Sequence, residues 1–210
     1  MKRLREAAVS SQQASSQGLA LFQKDGRFVL YNPQGMLNAF SKRDSSEMSY
    51  SEIDRMTAAN ILGYIELADV PEGEAWGASM VRQSAADKGY GPLMYDIAMS
   101  AAKSLVSDRD KVSPSAEKVW KVYQQRSDVK KLPLDDISDP KTASPKDDAT
   151  VFPGRDALNF AYAGANVDVN ALRQNHQRFV QMTKAKFGND ESFVDDALES
   201  AADSFFRRMY

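Results

Sequence analysis

Residues Ala86–Ala98 read ADKGYGPLMYDIA. Gly89 and Gly91 stand one residue apart, Pro92 follows, and Leu93, Met94, Ile97, Ala98, Ala101 and Leu105 then recur at helical spacing. The spacing predicts a helix over 92–104, with Pro92 at its first position, where a missing N–H is tolerated. A glycine turn opening directly into a helix presents the unpaired N–H groups of the first turn, and with them the positive end of the helix dipole, to whatever lies outside. Glycine also lets a ligand approach the backbone, because no Cβ stands in the way. Phosphate suits such a place, and a flexible connection into a helix is the plainer reading of the same glycines. Two sharper patterns fail: a dinucleotide fingerprint needs a third glycine where Met94 stands, and a nucleotide P-loop needs Gly-Lys-Ser/Thr, which is absent.

Upstream of the turn, ILGYIELADV and EAWGASMVRQ flank PEGE, a Pro-Gly turn between two strand-like runs, and read as a hairpin that delivers the chain to the glycines. Further back, GLALFQ and RFVLYN flank KDG, an Asp-Gly turn that predicts another hairpin, ended by Asn32-Pro33. Ser49 with Glu52 three residues on matches a capping box, so a helix is expected over 50–59. Residues 3–16 read as a short helix or a loose arm, and KRDSSE and SDRDK as solvated loops.

Downstream, SLVSDR is a short strand candidate, and Ser113 with Pro114 caps and opens a helix through KVWKVYQQR. Residues 131–154 hold Pro133, Pro140, Pro145 and Pro153 among many aspartates and are expected to form a long loop. ALNFAYAG returns as a strand, followed by helices over 168–187, closed by Gly188, and over 190–208. The last helix carries an apolar stripe from Phe193 through Phe205 to Met209. That stripe must be buried, by the rest of the chain, by a second copy or by a partner.

The chain has 210 residues, 42% hydrophobic and 27% charged, the balance of an ordinary folded domain with an appendage. A formal charge of −2 gives no basic footprint and speaks against nucleic acid as the main partner. The absence of cysteine excludes disulfides, thiolate metal sites and cysteine nucleophiles, and fits a reducing compartment. His176 is the single histidine, so no zinc site is expected. It falls between Leu172 and Phe179 on an apolar helix face, where a hydrogen-bonded interhelix histidine is expected. No apolar run reaches the ~18 residues of a membrane span, and the expectation is a cytoplasmic protein.

The glycine turn and its surroundings resemble the GNAT superfamily of acetyl-CoA-dependent N-acetyltransferases, over roughly residues 60–125. In that family a strand ending in valine leads, five residues on, to R/Q-x-x-G-x-G/A and a helix. Here Val81 precedes Ala86-Asp87-Lys88-Gly89-Tyr90-Gly91 by that distance. The resemblance implies that Ala86 to Gly91 hold the CoA pyrophosphate through backbone amides, and that Met80 and Val81 pair with the pantetheine arm. Ala86 departs from the family's Arg/Gln. A second family segment, Asn-x-x-Ala-x-x-x-Tyr, is matched by Ser113 and Ala116, but Trp120 stands where the tyrosine would protonate the departing thiolate. Tyr123 lies nearby as a candidate acid, with core packing as its plainer role. Glu66 and Glu74 are candidate general bases, or solvated surface carboxylates.

The C-terminal part is similar to GNAT-like proteins carried by tailed bacteriophages, which implies work in an infected bacterial cell. The fold expected is α/β (α+β): a mixed, mostly antiparallel sheet flanked by helices, occupying residues 1–165, with a C-terminal helical hairpin over 166–210. The function expected is acetylation of an amine on an unidentified substrate. The alternative is a catalytically weak binder of a host protein. Self-association or partner contact is expected through helix 190–208.

Overall fold

An Asp-Gly step ties the first hairpin. Strands β1 (Ala20–Lys24) and β2 (Arg27–Tyr31) pair antiparallel with Lys24 opposite Arg27, and Asp25 and Gly26 both take positive φ, +46° and +76°. That geometry matches the right-handed twist of the flanking strands. The structure is a computed structural model and describes residues 9–45, 49–69, 78–102, 104–134, 152–165, 167–188 and 191–209. Helix α1 (Ser11–Ser16) precedes the hairpin, its first turn capped by the Ser10 hydroxyl, which accepts from the Gln13 N–H at 3.1 Å.

Asn32 and Pro33 end β2 as expected, and the same pair also opens a helix. The Asn32 side chain accepts from the Gly35 N–H at 3.1 Å and Pro33 takes the first position of α2 (Pro33–Ser45). A cap residue followed by proline is a helix start. The expectation of a loop at KRDSSE is therefore corrected over its first residues, which continue α2. Helix α3 (Tyr50–Ala58) follows, with the Glu52 carboxylate accepting from the Ser49 N–H at 3.0 Å and the Ser49 hydroxyl at 2.7 Å.

Strands β3 (Ile61–Asp69) and β4 (Ala78–Ala86) are sheet neighbours, and β4 runs into α4 (Gly91–Ala101). After β5 (Ser104–Ser107) comes α5 (Pro114–Gln125), whose Ser113 cap accepts from the Ala116 N–H at 3.2 Å. Of the loop expected over 131–154, residues 135–151 lie outside the described residues, and the expectation is corrected at its start, where Lys130–Pro133 forms β6. Proline closes that strand at the sheet edge, where its missing donor is tolerated. A 3-10 turn (Asp156–Leu158) leads into β7 (Phe160–Ala163), and α6 (Asn170–Phe187) and α7 (Glu191–Met209) complete the chain.

The sheet is mixed and mostly antiparallel, with strands in the order β1-β2-β3-β4-β5-β7-β6. The one parallel pair with described register is β4–β5, while β1–β2, β5–β7 and β6–β7 run antiparallel.

The chain divides into two compact units. One comprises Met1–Tyr64, Ala85–Met94 and Asp168–Tyr210. Its core joins Phe22 and Tyr31 of the hairpin, Phe40 of α2, Phe179 of α6, and Leu198 and Phe205 of α7. Helices α6 and α7 are thus no appendage beyond residue 165, because they share a core with the first hairpin. Nor do they mainly cover each other: α6 packs chiefly on β1, and α7 on α3. Of the stripe expected to serve self-association or partner contact, Phe205 is 0% exposed in the unit's own core and only Met209, at 44%, is an exposed large hydrophobic.

The second unit comprises Ile65–Ser84 and Tyr95–Val167. Its interior is aromatic: Trp120 stacks on Tyr162 with ring centroids 5.4 Å apart and meets Tyr95 edge-on at 5.3 Å. No described helix is long and apolar enough to cross a membrane.

Candidate functional site

The glycine turn is built by a short ladder of backbone bonds. The Asp87 N–H donates to the Leu62 carbonyl at 2.9 Å, the Tyr90 N–H to the Asp87 carbonyl at 3.1 Å, and the Met94 N–H to the Tyr90 carbonyl at 3.1 Å. The last of these makes Tyr90 the residue that caps α4, with Gly91 first and Pro92 second in the helix, one position later than expected. The Gly91 and Leu93 amides accordingly belong to the first turn, which has no intrahelical acceptors. Gly89 has φ +95°, a conformation that only glycine adopts without strain. A Cβ on Gly89 would meet Val9 Cγ2 at 3.7 Å, whereas one on Gly91 would project into open space.

The N-terminal segment is packed on this turn. The Val9 N–H donates to the Gly89 carbonyl at 3.2 Å, and the Tyr90 hydroxyl donates to Gln17 Oε1 at 3.3 Å. Lys88 is exposed, while Ala86, Asp87 and Tyr90 are half-buried.

On β4, Met80 and Val81 lie opposite Val106 and Ser107, the last two residues of β5. Beyond that register β4 continues through Arg82 to Ala86, and among the described residues β5 supplies no partner for this stretch. The backbone that a ligand could meet on that edge is therefore displaced from Met80 and Val81 toward Arg82–Ala86.

Tyr123 is fully buried, and its hydroxyl donates to Asp96 on α4. Arg126 closes the group, with its guanidinium 2.6 Å from the same Asp96 carboxylate and 2.6 Å from Asp128, and over the Tyr123 ring at 4.8 Å. Burial first, and Asp96 second, push the Tyr123 phenol well above its ordinary value of 10.0. A phenol held this way keeps its proton, and its packing against Trp120 and Tyr162 is structural. The sequence pointed to Tyr123 but not to Asp96, which lies one turn into α4 and carries no motif.

Ser113 is engaged as the cap of α5. Glu66, on β3, has a side chain 12% exposed and pairs with Arg82 at 3.5 Å, across from it on β4. Glu74 lies outside the described residues. His176 is hydrogen-bonded as expected, though to a strand: its Nδ1 lies 2.8 Å from the Tyr31 hydroxyl and its ring 5.6 Å from that of Phe22. Burial holds its pKa below the ordinary 6.5. Among the described residues no group of acidic or histidine side chains could hold a metal ion.

The chain matches no family model, no curated protein and no solved structure.

Proposed function

We propose that the protein is an acetyl-CoA-dependent N-acetyltransferase of GNAT type. One observation carries the reading: β4 leads through a glycine turn into α4, and α4 into a strand parallel to β4 that pairs with it only as far as Val81. The amides of Gly91 and Leu93 would receive the pyrophosphate, favoured by the helix dipole. The pantetheine arm would run along Arg82–Ala86, which has the backbone groups for strand-like pairing. With the thioester so placed, a neutral amine attacks the carbonyl carbon and strand N–H groups stabilise the oxyanion. The carbon–sulfur bond then breaks, the acetyl group stays on nitrogen, and the thiolate leaves and is protonated by water. Glu66, which pairs with Arg82, is the candidate to take the amine's proton.

A second reading is a GNAT-type binder of a host bacterial protein in which turnover is weak. Its support is Ala86 in place of Arg/Gln, and a Tyr123 hydroxyl committed to Asp96. In both readings the setting is the cytoplasm of an infected bacterium, with an amine-bearing molecule or a host protein as partner.

Calorimetric titration of the full chain with acetyl-CoA and with CoA tests the shared premise. Saturable heat for both is expected, and its absence for both removes the cofactor. Release of free thiol with an amine panel then separates the enzyme from the binder.

A further inference from the structure

The first unit holds a cleft that the acetyl-CoA reading does not use. Its volume is about 390 Å³, and its walls are the tip of the first hairpin, α6 and the start of α7. Leu21 and Phe22 of β1 line it with side chains only 1% and 2% exposed, and His176, held against Phe22 and bonded to Tyr31, forms part of the lining.

Its charges are arranged unusually for a solvated face. Glu191, Asp195 and Glu199 stand at successive turns of α7, a spacing at which like charges repel. Glu199 is answered by Lys24 at 2.7 Å and Arg27 at 3.6 Å. Among the described residues no hydrogen bond or ion pair engages Glu191 or Asp195, although both line the cleft. Asp195 is half-buried, and the cation acting on it, Lys24, is already held by Glu199. On α6, the Arg173 guanidinium donates to the neutral Gln23 side chain at 2.6 Å and has no described carboxylate partner.

We propose that this cleft binds a small zwitterion of the α-amino-acid type. Glu191, Asp195 and Arg173 make no ion pair among the described residues, and with Lys24 and Asp25 they give one cavity of ligand size both signs of charge, complementary to an ammonium and a carboxylate carried by one molecule. A metal ion would have no use for the guanidinium. The inference is independent of the acetyl-CoA reading and survives that reading's failure.

The single histidine makes the test direct, because the His176 ring protons give one isolated pair of NMR signals from the cleft wall. The full chain is titrated with pools of the standard L-amino acids. At least one is expected to move those signals saturably, and its amide and its deamino acid to bind about tenfold or more weakly, as expected for the loss of a charged contact. Asp195→Asn and Arg173→Gln should each weaken binding by about the same factor. Asp195→Asn should leave the melting temperature unchanged or raise it, since it removes one of three like charges on a helix face. The proposal is overturned if no amino acid saturates the signal, if neither substitution changes affinity, or if the amide binds as tightly as the amino acid.

Discussion

Gly89 and Gly91 differ in what a methyl group would do to them. At Gly89 the φ of +95° makes any L side chain strained, whatever the space around it. Gly89→Ala should therefore cost about 1–3 kcal/mol in urea unfolding, the usual range for a residue forced into a sparse backbone region. Gly91 begins α4 and its Cβ would enter open space, so Gly91→Ala should leave stability within about 0.5 kcal/mol. If phosphate is bound at the Gly91 amide, the same substitution weakens CoA binding in calorimetry. Unchanged affinity there removes the turn from the cofactor site. Tyr123→Phe takes a buried donor from Asp96 while Arg126 still holds that carboxylate. A loss of about 1–3 kcal/mol is expected, with CoA affinity and any turnover unchanged. A large drop in turnover at normal stability would restore the tyrosine to the chemistry. The sequence placed a tyrosine near the family position, but the Asp96 that occupies it comes from another helix, and no spacing rule reaches that far.

At the scale of elements, His176 links α6 to β2 through Tyr31. Half-buried as it is, the imidazole has its pKa held below the 6.5 at which the unfolded chain takes up a proton. Glu191 acts on the ring in the opposite sense, but burial dominates. The contribution is thus fully present above pH 6.5 and is lost as pH falls through the folded value. Melting curves of the wild type against His176→Gln should diverge below that pH, with the wild type losing stability faster. Parallel curves would place the ring in solvent. The elements themselves were legible where their ends carry local chemistry: Asp25-Gly26 for the hairpin, Ser49 with Glu52 for α3, Ser113-Pro114 for α5 and Gly188 for α6. Helix α2 was missed because Asn32-Pro33 is a valid strand stop and an equally valid helix start. Strand β6 was hidden in a proline-rich run, where pairing with β7 outweighs composition.

For the whole molecule, α7 is a wall of the first unit's core and not a free face. Phe205→Ala should cost about 3–5 kcal/mol through the cavity it leaves, and Met209→Ser should be close to neutral. Chemical denaturation of both variants, with sedimentation on the same samples, checks this. A folded Phe205→Ala protein of full stability and altered mass would return the stripe to the role of an interface. Replacing Phe205 and Met209 together should cost no more than Phe205 alone, since Met209 is exposed.

The sequence by itself determined the Asp25-Gly26 turn, the starts of α3 and α5 and the end of α6. These follow from φ preferences, missing donors and caps that act within about four residues. It also located the glycine turn, because Gly89 is required by its own backbone angle. Tertiary structure alone decided that α7 covers α3, that Tyr123 is bound to Asp96, that β5 leaves Arg82–Ala86 unmatched, and that Arg173, Glu191 and Asp195 line one cleft. An amphipathic stripe or a charged side chain states only that it needs a counterpart. Which counterpart it meets depends on residues far along the chain, as with Arg173 and Gln23, 150 positions apart, and is settled only when the packed faces compete for one another.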